Sequence, residues 1–329
     1  MMRKVLLRAD GGTEMGLGHI VRCCALAGML KDYFECHFLV RAPSPAMKDL
    51  ILQSCTGISE LSAGVPYNEE ARLWTSSLSG DEIVVLDGYY FDTAYQQEIR
   101  SKGCKLVCID DIHSYHFIAD VIINHAGGIN ASDYSAETYT KYCLGLKYAL
   151  IRKEFLDAAP SKTQVSADPN SIFLCLGGAD PNNVTLEILK YLSAINPQYY
   201  FEVIVGAAYR FGDSLRAFAM ESRLRINIHS SLNASDILAL MRRCGIAICP
   251  PSTVSIEYLA VNNGLLFLKK IAENQATFYK YLVNGNFAFD ISAFEQKLLN
   301  GRQKTDLTDL DGLQKARLLE IFNNLQYAN

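Results

Sequence analysis

The stretch RADGGTEMGLGHIVRCCALAGML, Arg8 to Leu30, decides how this chain is read. Arg8–Asp10 closes an apolar run, KVLLRAD, that reads as a β-strand. The glycines that follow, Gly12, Gly16 and Gly18, let the backbone turn sharply and come close to a ligand. Beyond them Ile20, Cys23, Cys24 and Ala27 fall at i, i+3, i+4 and i+7, the spacing of a helix with one buried face. This order of strand, glycine turn and helix puts His19 in the first helical turn, with Asp10, Gly16 and Gly18 as expected binding positions around it. The partial positive charge of a helix N-terminus disfavours imidazolium there. A neutral imidazole beside a ligand-binding turn suits general-base work. The turn has neither G-x-G-x-x-G nor the G-K-S/T ending of a P-loop, so a capping or surface histidine stays open as the plainer reading.

Outward from this stretch, FECHFLV, EIVVLDG, CKLVCIDD and DVIINHA read as further strands, separated by helical patterns such as Thr93 to Lys102. The rhythm restarts after residue 170 with SIFLCLGG, YYFEVIVG, LRINIHS, IAICPP and LLFLKK. Strand–helix alternation predicts parallel sheets covered on both faces. The expectation is an α/β chain of two Rossmann-like domains facing a central cleft, residues 1–153 and 172–285. Residues 154–171, polar and carrying two prolines, are expected to link them. Residues 286–329 read as a tail in which the spacing near Leu318 to Phe322 predicts one amphipathic helix. Ligands in such sheets bind beyond the C-terminal ends of the strands.

With 329 residues, half of them hydrophobic, the chain has material for two cores. Its net charge of −4 and the lack of a dense Lys/Arg block argue against a nucleic-acid surface. Ten cysteines without a C-x-x-C pair read as buried reduced thiols. The N-terminal apolar run is short for a signal peptide, and nothing approaches about 18 continuous apolar residues. A soluble, cytoplasmic protein without a membrane span is therefore expected.

Two motifs in the second half suggest phosphate binding. AICPPSTVSIEYLA runs from a strand through Pro250 and Pro251 into Ser252, a natural N-cap. The amides of Thr253, Val254 and Ser255 would then be free to cradle a diphosphate without metal. Glu257, one turn on, is placed to accept both hydroxyls of a ribose, unless Ser252 merely caps and Glu257 merely solvates. CLGGADPNN ends another strand in a close-approach turn at Gly178. A rival constellation, Asp110, Asp111, His113, His116 and His125, has the residue types of a divalent-metal site. Turn capping and a surface loop explain it equally, and neither metal nor cofactor is expected.

On these pieces the sequence resembles the PseG/SpsG family, UDP-sugar hydrolases of pseudaminic acid biosynthesis. The matching stretches include RADGGTEMGLGHIVRCCALA, VVLDGYYFDTAYQQ, CIDDIHSYHFIADVIINH, LGLKYALIRKEF, LCLGGADPNN, STVSIEYLAV and IAENQAT. The resemblance implies a GT-B-like architecture, as in the MurG glycosyltransferases, and attack by water on the anomeric carbon of a UDP-linked diacetamido-trideoxyhexose. It also implies His19 as catalytic base and Tyr89 near the sugar. Ser252, Thr253 and Glu257 fall at the nucleotide, and Asn274 and Gln275 toward sugar or phosphate. Pro250-Pro251 stands where the family has a small glycine- or serine-rich turn, and DGYYFD departs from shorter forms of its motif. A glycosyltransferase acting on the same donor, or a nucleotide-sugar-binding module without catalysis, are the alternatives.

Overall fold

The computed structural model describes residues 2–12, 16–195, 198–206, 208–299 and 307–327. The chain divides into two compact units, one of Met1–Lys153 with Leu313–Asn329, the other of Glu154–Gly312. The first unit opens with β1 (Lys4–Ala9), α1 (Gly18–Leu30), β2 (Glu35–Arg41), α2 (Pro45–Leu52), β3 (Gly57–Leu61), α3 (Tyr67–Thr75), β4 (Ile83–Asp87) and α4 (Thr93–Arg100). It continues through β5 (Lys105–Ile109), β6 (His116–Phe117), β7 (Val121–Asn124), β8 (Ser135–Ala136) and β9 (Lys141–Leu144). Seven of these strands form one parallel sheet in the order β3-β2-β1-β4-β5-β7-β9.

Strands β4 and β7 are buried along their whole length, as parallel strands covered on both faces must be. Their side chains, with Leu106, Tyr95 and Trp74, build one apolar core. Chain order runs outward in both directions from the β1–β4 pair. That pair is the topological switch point, and its C-terminal edge is where such sheets bind ligands.

The second unit contains α5 (Lys153–Ala158, its first residue shared with the boundary), β10 (Asp168–Cys175), α6 (Val184–Ile195), β11 (Tyr200–Val205), α7 (Gly212–Glu221), β12 (Arg225–Ser230) and α8 (Ala234–Arg243). It ends with β13 (Cys244–Cys249), α9 (Thr253–Val261), β14 (Leu265–Leu268), α10 (Ala276–Asn284), β15 (Phe289–Asp290) and α11 (Phe294–Leu299). Its six-stranded parallel sheet has the order β12-β11-β10-β13-β14-β15, with the switch point at β10–β13. Phe201, Phe267 and Phe294 are fully buried in its core.

The segment read as a linker is structured: α5 and a 3-10 turn over Ala159–Gln164 precede β10, which already begins at Asp168. Phe155 and Leu156 are buried, so this polar stretch is anchored by its apolar minority. Residues 286–299 fold onto the second unit through β15 and α11. The last helix, α12 (Gln314–Tyr327), returns to the first unit, where Leu318 and Phe322 are buried. Phe322 meets Phe34 edge-on.

None of the ten cysteines is in a disulfide, and all but Cys175 are buried. Burial pushes the Cys24 and Cys36 thiols up to about 12, which leaves them protonated and unreactive. No helix among the described residues is long and apolar enough to cross a membrane.

Candidate active site

The turn between β1 and α1 is pinched where Gly12 and Gly16 exchange backbone hydrogen bonds of 3.0 and 2.8 Å. Gly16 has φ of +76°, a conformation that costs a residue with a Cβ strain and glycine nothing. The chain then enters α1 at Gly18, so His19 occupies the second helical position, 4% exposed. Its Nδ1 lies 2.6 Å from Oδ1 of Asp87, the last residue of β4. The two strands of the switch point thus deliver the imidazole and the carboxylate to one spot.

Asp87 is fully buried. Burial pushes its carboxyl up, but Arg22 and His19 overcome that and hold it below the usual range. Arg22 Nη2 stands 2.8 Å from the same Nδ1 but gives its hydrogen to Asp87 Oδ1 at 2.6 Å, and an ionised carboxylate cannot donate, so the proton between His19 and Asp87 is assigned to Nδ1. The lone pair of His19 is then on Nε2, the acceptor a general base needs. Arg22, one turn along α1, donates from Nε to Oδ2 of Asp87 at 3.0 Å and from Nη2 to Oδ1 at 2.6 Å. Its Nη1 reaches Asp111 Oδ2 at 3.0 Å. Burial opposes the Arg22 charge, yet the two carboxylates raise its pKa above the ordinary arginine value.

Tyr89 sets its ring edge-on to His19, centroids 4.7 Å apart. Tyr115 donates to the Tyr89 carbonyl at 2.8 Å and fixes that backbone. His19 and Tyr89 are therefore brought together, with Asp87, Arg22 and Asp111 as partners that the sequence reading missed.

Asp10 is placed differently from expectation. Oδ1 accepts from Arg8 Nη1 and the Arg41 amide, and Oδ2 accepts from Arg8 Nη2 and Tyr67 Oη. Four donors occupy its acceptor positions, so it braces the end of β1 instead of presenting a free carboxylate.

In the second unit the expected positions gather at the β10–β13 switch point. Gly178 backs onto Gly206, where an added Cβ would come within 2.4 Å of the Gly178 carbonyl oxygen. Ser252 precedes α9; Ser255 Oγ accepts from the Ser252 amide at 3.2 Å and donates to its carbonyl at 2.7 Å. The Ser255 amide also bonds the Ser252 carbonyl at 3.0 Å, so it is spent within the turn. The first-turn amides of Thr253 and Val254 remain, on half-buried residues. They add to the positive end of the helix dipole. Glu257 is buried one turn on.

Gln275 does not turn both ends of its amide to a ligand: Oε1 accepts from the Ile271 and Ala272 amides at 2.9 and 3.3 Å. It shapes the loop before α10, while neighbouring Asn274 is exposed.

The residues weighed as a metal site are dispersed. Asp110 caps its own turn through the Ile112 and His113 amides, and exposed His116 contacts Ser135 and Glu137. Among the described residues no group of three or more His, Cys, Asp or Glu side chains is arranged to hold a metal ion.

His125 is buried, and burial followed by the Arg22 charge lowers its pKa from 6.5 to about 3. Between those values the unfolded chain binds a proton that the folded one refuses. Stability from this histidine is therefore complete above pH 6.5 and lost as pH falls toward 3. His125→Gln is expected to flatten the acid limb of stability; equal loss of urea resistance between pH 7 and pH 4.5 in parent and variant would refute this.

The architecture is that of the GT-B glycosyltransferases and epimerases. The calicheamicin glycosyltransferase CalG4 aligns with a TM-score of 0.66 at 10% identity, over 99% of this chain and 98% of its own. A UDP-N-acetylglucosamine 2-epimerase aligns at 0.58 and 14%, over 100% and 98%. Acinetobacter baumannii MurG aligns at 0.56 and 14%, over 98% and 90%. In sequence, the chain is similar to the UDP-2,4-diacetamido-2,4,6-trideoxy-β-L-altropyranose hydrolase of Campylobacter jejuni, 26% identical over 83% of this chain and 94% of that protein. It is also 24% identical, over 78% of its length, to an uncharacterized protein of Methanocaldococcus jannaschii, of which it spans about half, 53%. No family model matches. The resemblance to the PseG/SpsG hydrolases thus rests on a curated relative in sequence and on GT-B neighbours in fold.

Proposed function

We propose that the chain hydrolyses a UDP-linked diacetamido-trideoxyhexose at its anomeric C1–O bond, releasing UDP and the free sugar, as a step in pseudaminic acid-type polysaccharide synthesis. The observation that carries this reading is the His19–Asp87 pair at the first unit's switch point, with Nε2 of His19 left to accept. Water would attack C1 while the C1–O electrons pass to the β-phosphate oxygen of UDP. The water proton goes to His19 Nε2, and Asp87 stabilises the imidazolium that results. A glycosidase needs a second carboxyl because its leaving alcohol is poor. UDP is a stable anion and needs none. Its charge would be met by the Thr253 and Val254 amides and the dipole of α9, with Ser252, Gly178 and Gly16 in the surrounding turns, Glu257 on the ribose and Asn274 toward the sugar or phosphate. Tyr89 would bear on the sugar, and neither a metal nor an organic cofactor enters the step. Direct in-line attack inverts the anomeric centre.

The test is UDP release from a UDP-2,4-diacetamido-2,4,6-trideoxyhexose with no acceptor present. NMR of the first-formed anomer, taken before mutarotation, reads the stereochemistry. His19→Ala is expected to lose roughly 10²-fold or more in turnover; near-parental activity in a folded variant would overturn the assignment. The glycosyltransferase reading is favoured by the fold neighbours, and it requires that UDP appear only when an acceptor is added.

A further inference from the structure

His125 follows β7 directly and is 7% exposed. The Leu150 amide donates to its Nδ1 at 3.2 Å. A ring nitrogen that accepts from an amide carries no proton, so the hydrogen of this neutral imidazole is on Nε2. Among the described residues Nε2–H has no acceptor. Nor is it sealed in: the only fully enclosed side-chain polar atom without a partner, among those residues, is Ser222 Oγ.

Strand register says where this donor stands. β4 pairs Asp87 with Ile109, and β5 pairs Ile109 with Ile123. Asp111 and His125 each lie two residues beyond this last pair, at the same edge of the sheet. The ring accordingly lies within electrostatic reach of Arg22, Asp111 and Asp87. The charged members of this patch are two carboxylates and one guanidinium, and the guanidinium is spent on both carboxylates. Such a patch carries a net negative charge and repels phosphate, so its natural guest is uncharged. A donor whose ring has no acceptor to spare fits a partner that only accepts, and a carbonyl oxygen is that partner. Unlike a hydroxyl, a carbonyl satisfies this donor without needing a second partner for a proton of its own.

We infer that His125 donates its Nε2–H to an amide carbonyl of the sugar and so makes this unit select acetamido-bearing donors. The inference deepens the proposed function and rests on it for the identity of the sugar.

The test uses binding, with His19→Ala as background so that the ligand stays intact. Calorimetry compares UDP with UDP-2,4-diacetamido-2,4,6-trideoxyhexose. Adding His125→Leu is expected to weaken the UDP-sugar roughly tenfold or more and to leave UDP unchanged, which also shows that the variant folds. His125→Gln, which can still offer an N–H, is expected to recover part of the loss. Unchanged affinity for the UDP-sugar, equal weakening of both ligands, or a parent that gains nothing from the sugar would each overturn the inference. Hydrolysis by the unmodified protein is read separately, so failed turnover with intact, His125-dependent sugar binding sinks only the hydrolase reading.

Discussion

Asp87→Asn is expected to lower turnover by about 10³–10⁴-fold while the fold and UDP affinity persist, the size of effect seen when a histidine's orienting carboxylate becomes an amide. Arg22 donates to both oxygens of Asp87, and His19 Nδ1 donates to one of them. An asparagine has only one oxygen for these three donors. If it serves Arg22 Nε, the amide N–H₂ faces His19 Nδ1 and drives the ring proton to Nε2. The lone pair then sits on the buried side of the ring, where no water can give it a proton. In the other orientation the N–H₂ opposes Arg22 Nε, and the guanidinium that braces the pair is displaced. Either way the imidazolium formed during the reaction loses its counter-charge. Turnover of the UDP-diacetamido-sugar and UDP affinity, measured on the same preparation, check the result. A fall of less than tenfold in turnover would mean that Asp87 serves stability alone.

The sheet interiors were legible in the sequence for a physical reason. β4, β7, β13 and β14 lie inside parallel sheets and appear as short, nearly unbroken apolar runs, while β10 is apolar only from Ile172 onward and β1 is interrupted by the buried Arg8. β3, reading GISEL, has no buried residue and β9, reading KYCL, only Cys143; both sit at the edges, and neither stands out from the loops around it. His19 is flagged in sequence by a glycine turn before a helix, and Tyr89 only by the resemblance of DGYYFD to a family motif. Asp87 closes the run EIVVLDG, yet only the pairing of β1 with β4 shows that it meets His19. Arg22 is, in sequence, one polar residue within a helical pattern; its partner Asp111 lies far away along the chain. The bracing of Asp10 could not be read locally, because the Arg41 amide and Tyr67 arrive from β2 and α3. Contacts of such long sequence separation leave no local pattern to read.

Those same partners make Arg8→Met the most damaging change expected for the stability of the first unit. Arg8 is wholly enclosed, and it divides its guanidinium between Asp10, at 2.6 and 2.7 Å, and Glu70, at 2.9 and 3.0 Å. Glu70 is further held by Arg41 and, at 2.7 Å, by Tyr95 Oη, which in turn accepts from Trp74 Nε1. The cluster ties β1, β2, α3 and α4 together beside the turn that leads to His19. Methionine replaces the apolar stem but ends short of the guanidinium, so two buried carboxylates lose their shared cation, a defect that costs about 3–5 kcal/mol. Urea unfolding monitored by Trp74, the single tryptophan, reports it. The pH dependence supplies a second check. Burial raises the Asp10 carboxyl, but Arg8, the Arg41 amide and Tyr67 together lower it below its ordinary value of 3.8. Stability from this pairing is therefore present above pH 3.8 and is lost as pH falls through the depressed folded value. The gap between parent and variant should be widest near neutrality and narrow as pH falls toward 3. A gap independent of pH would assign the loss to packing, and a gap under about 1 kcal/mol would show that Arg41 and Tyr67 suffice to hold the carboxylates.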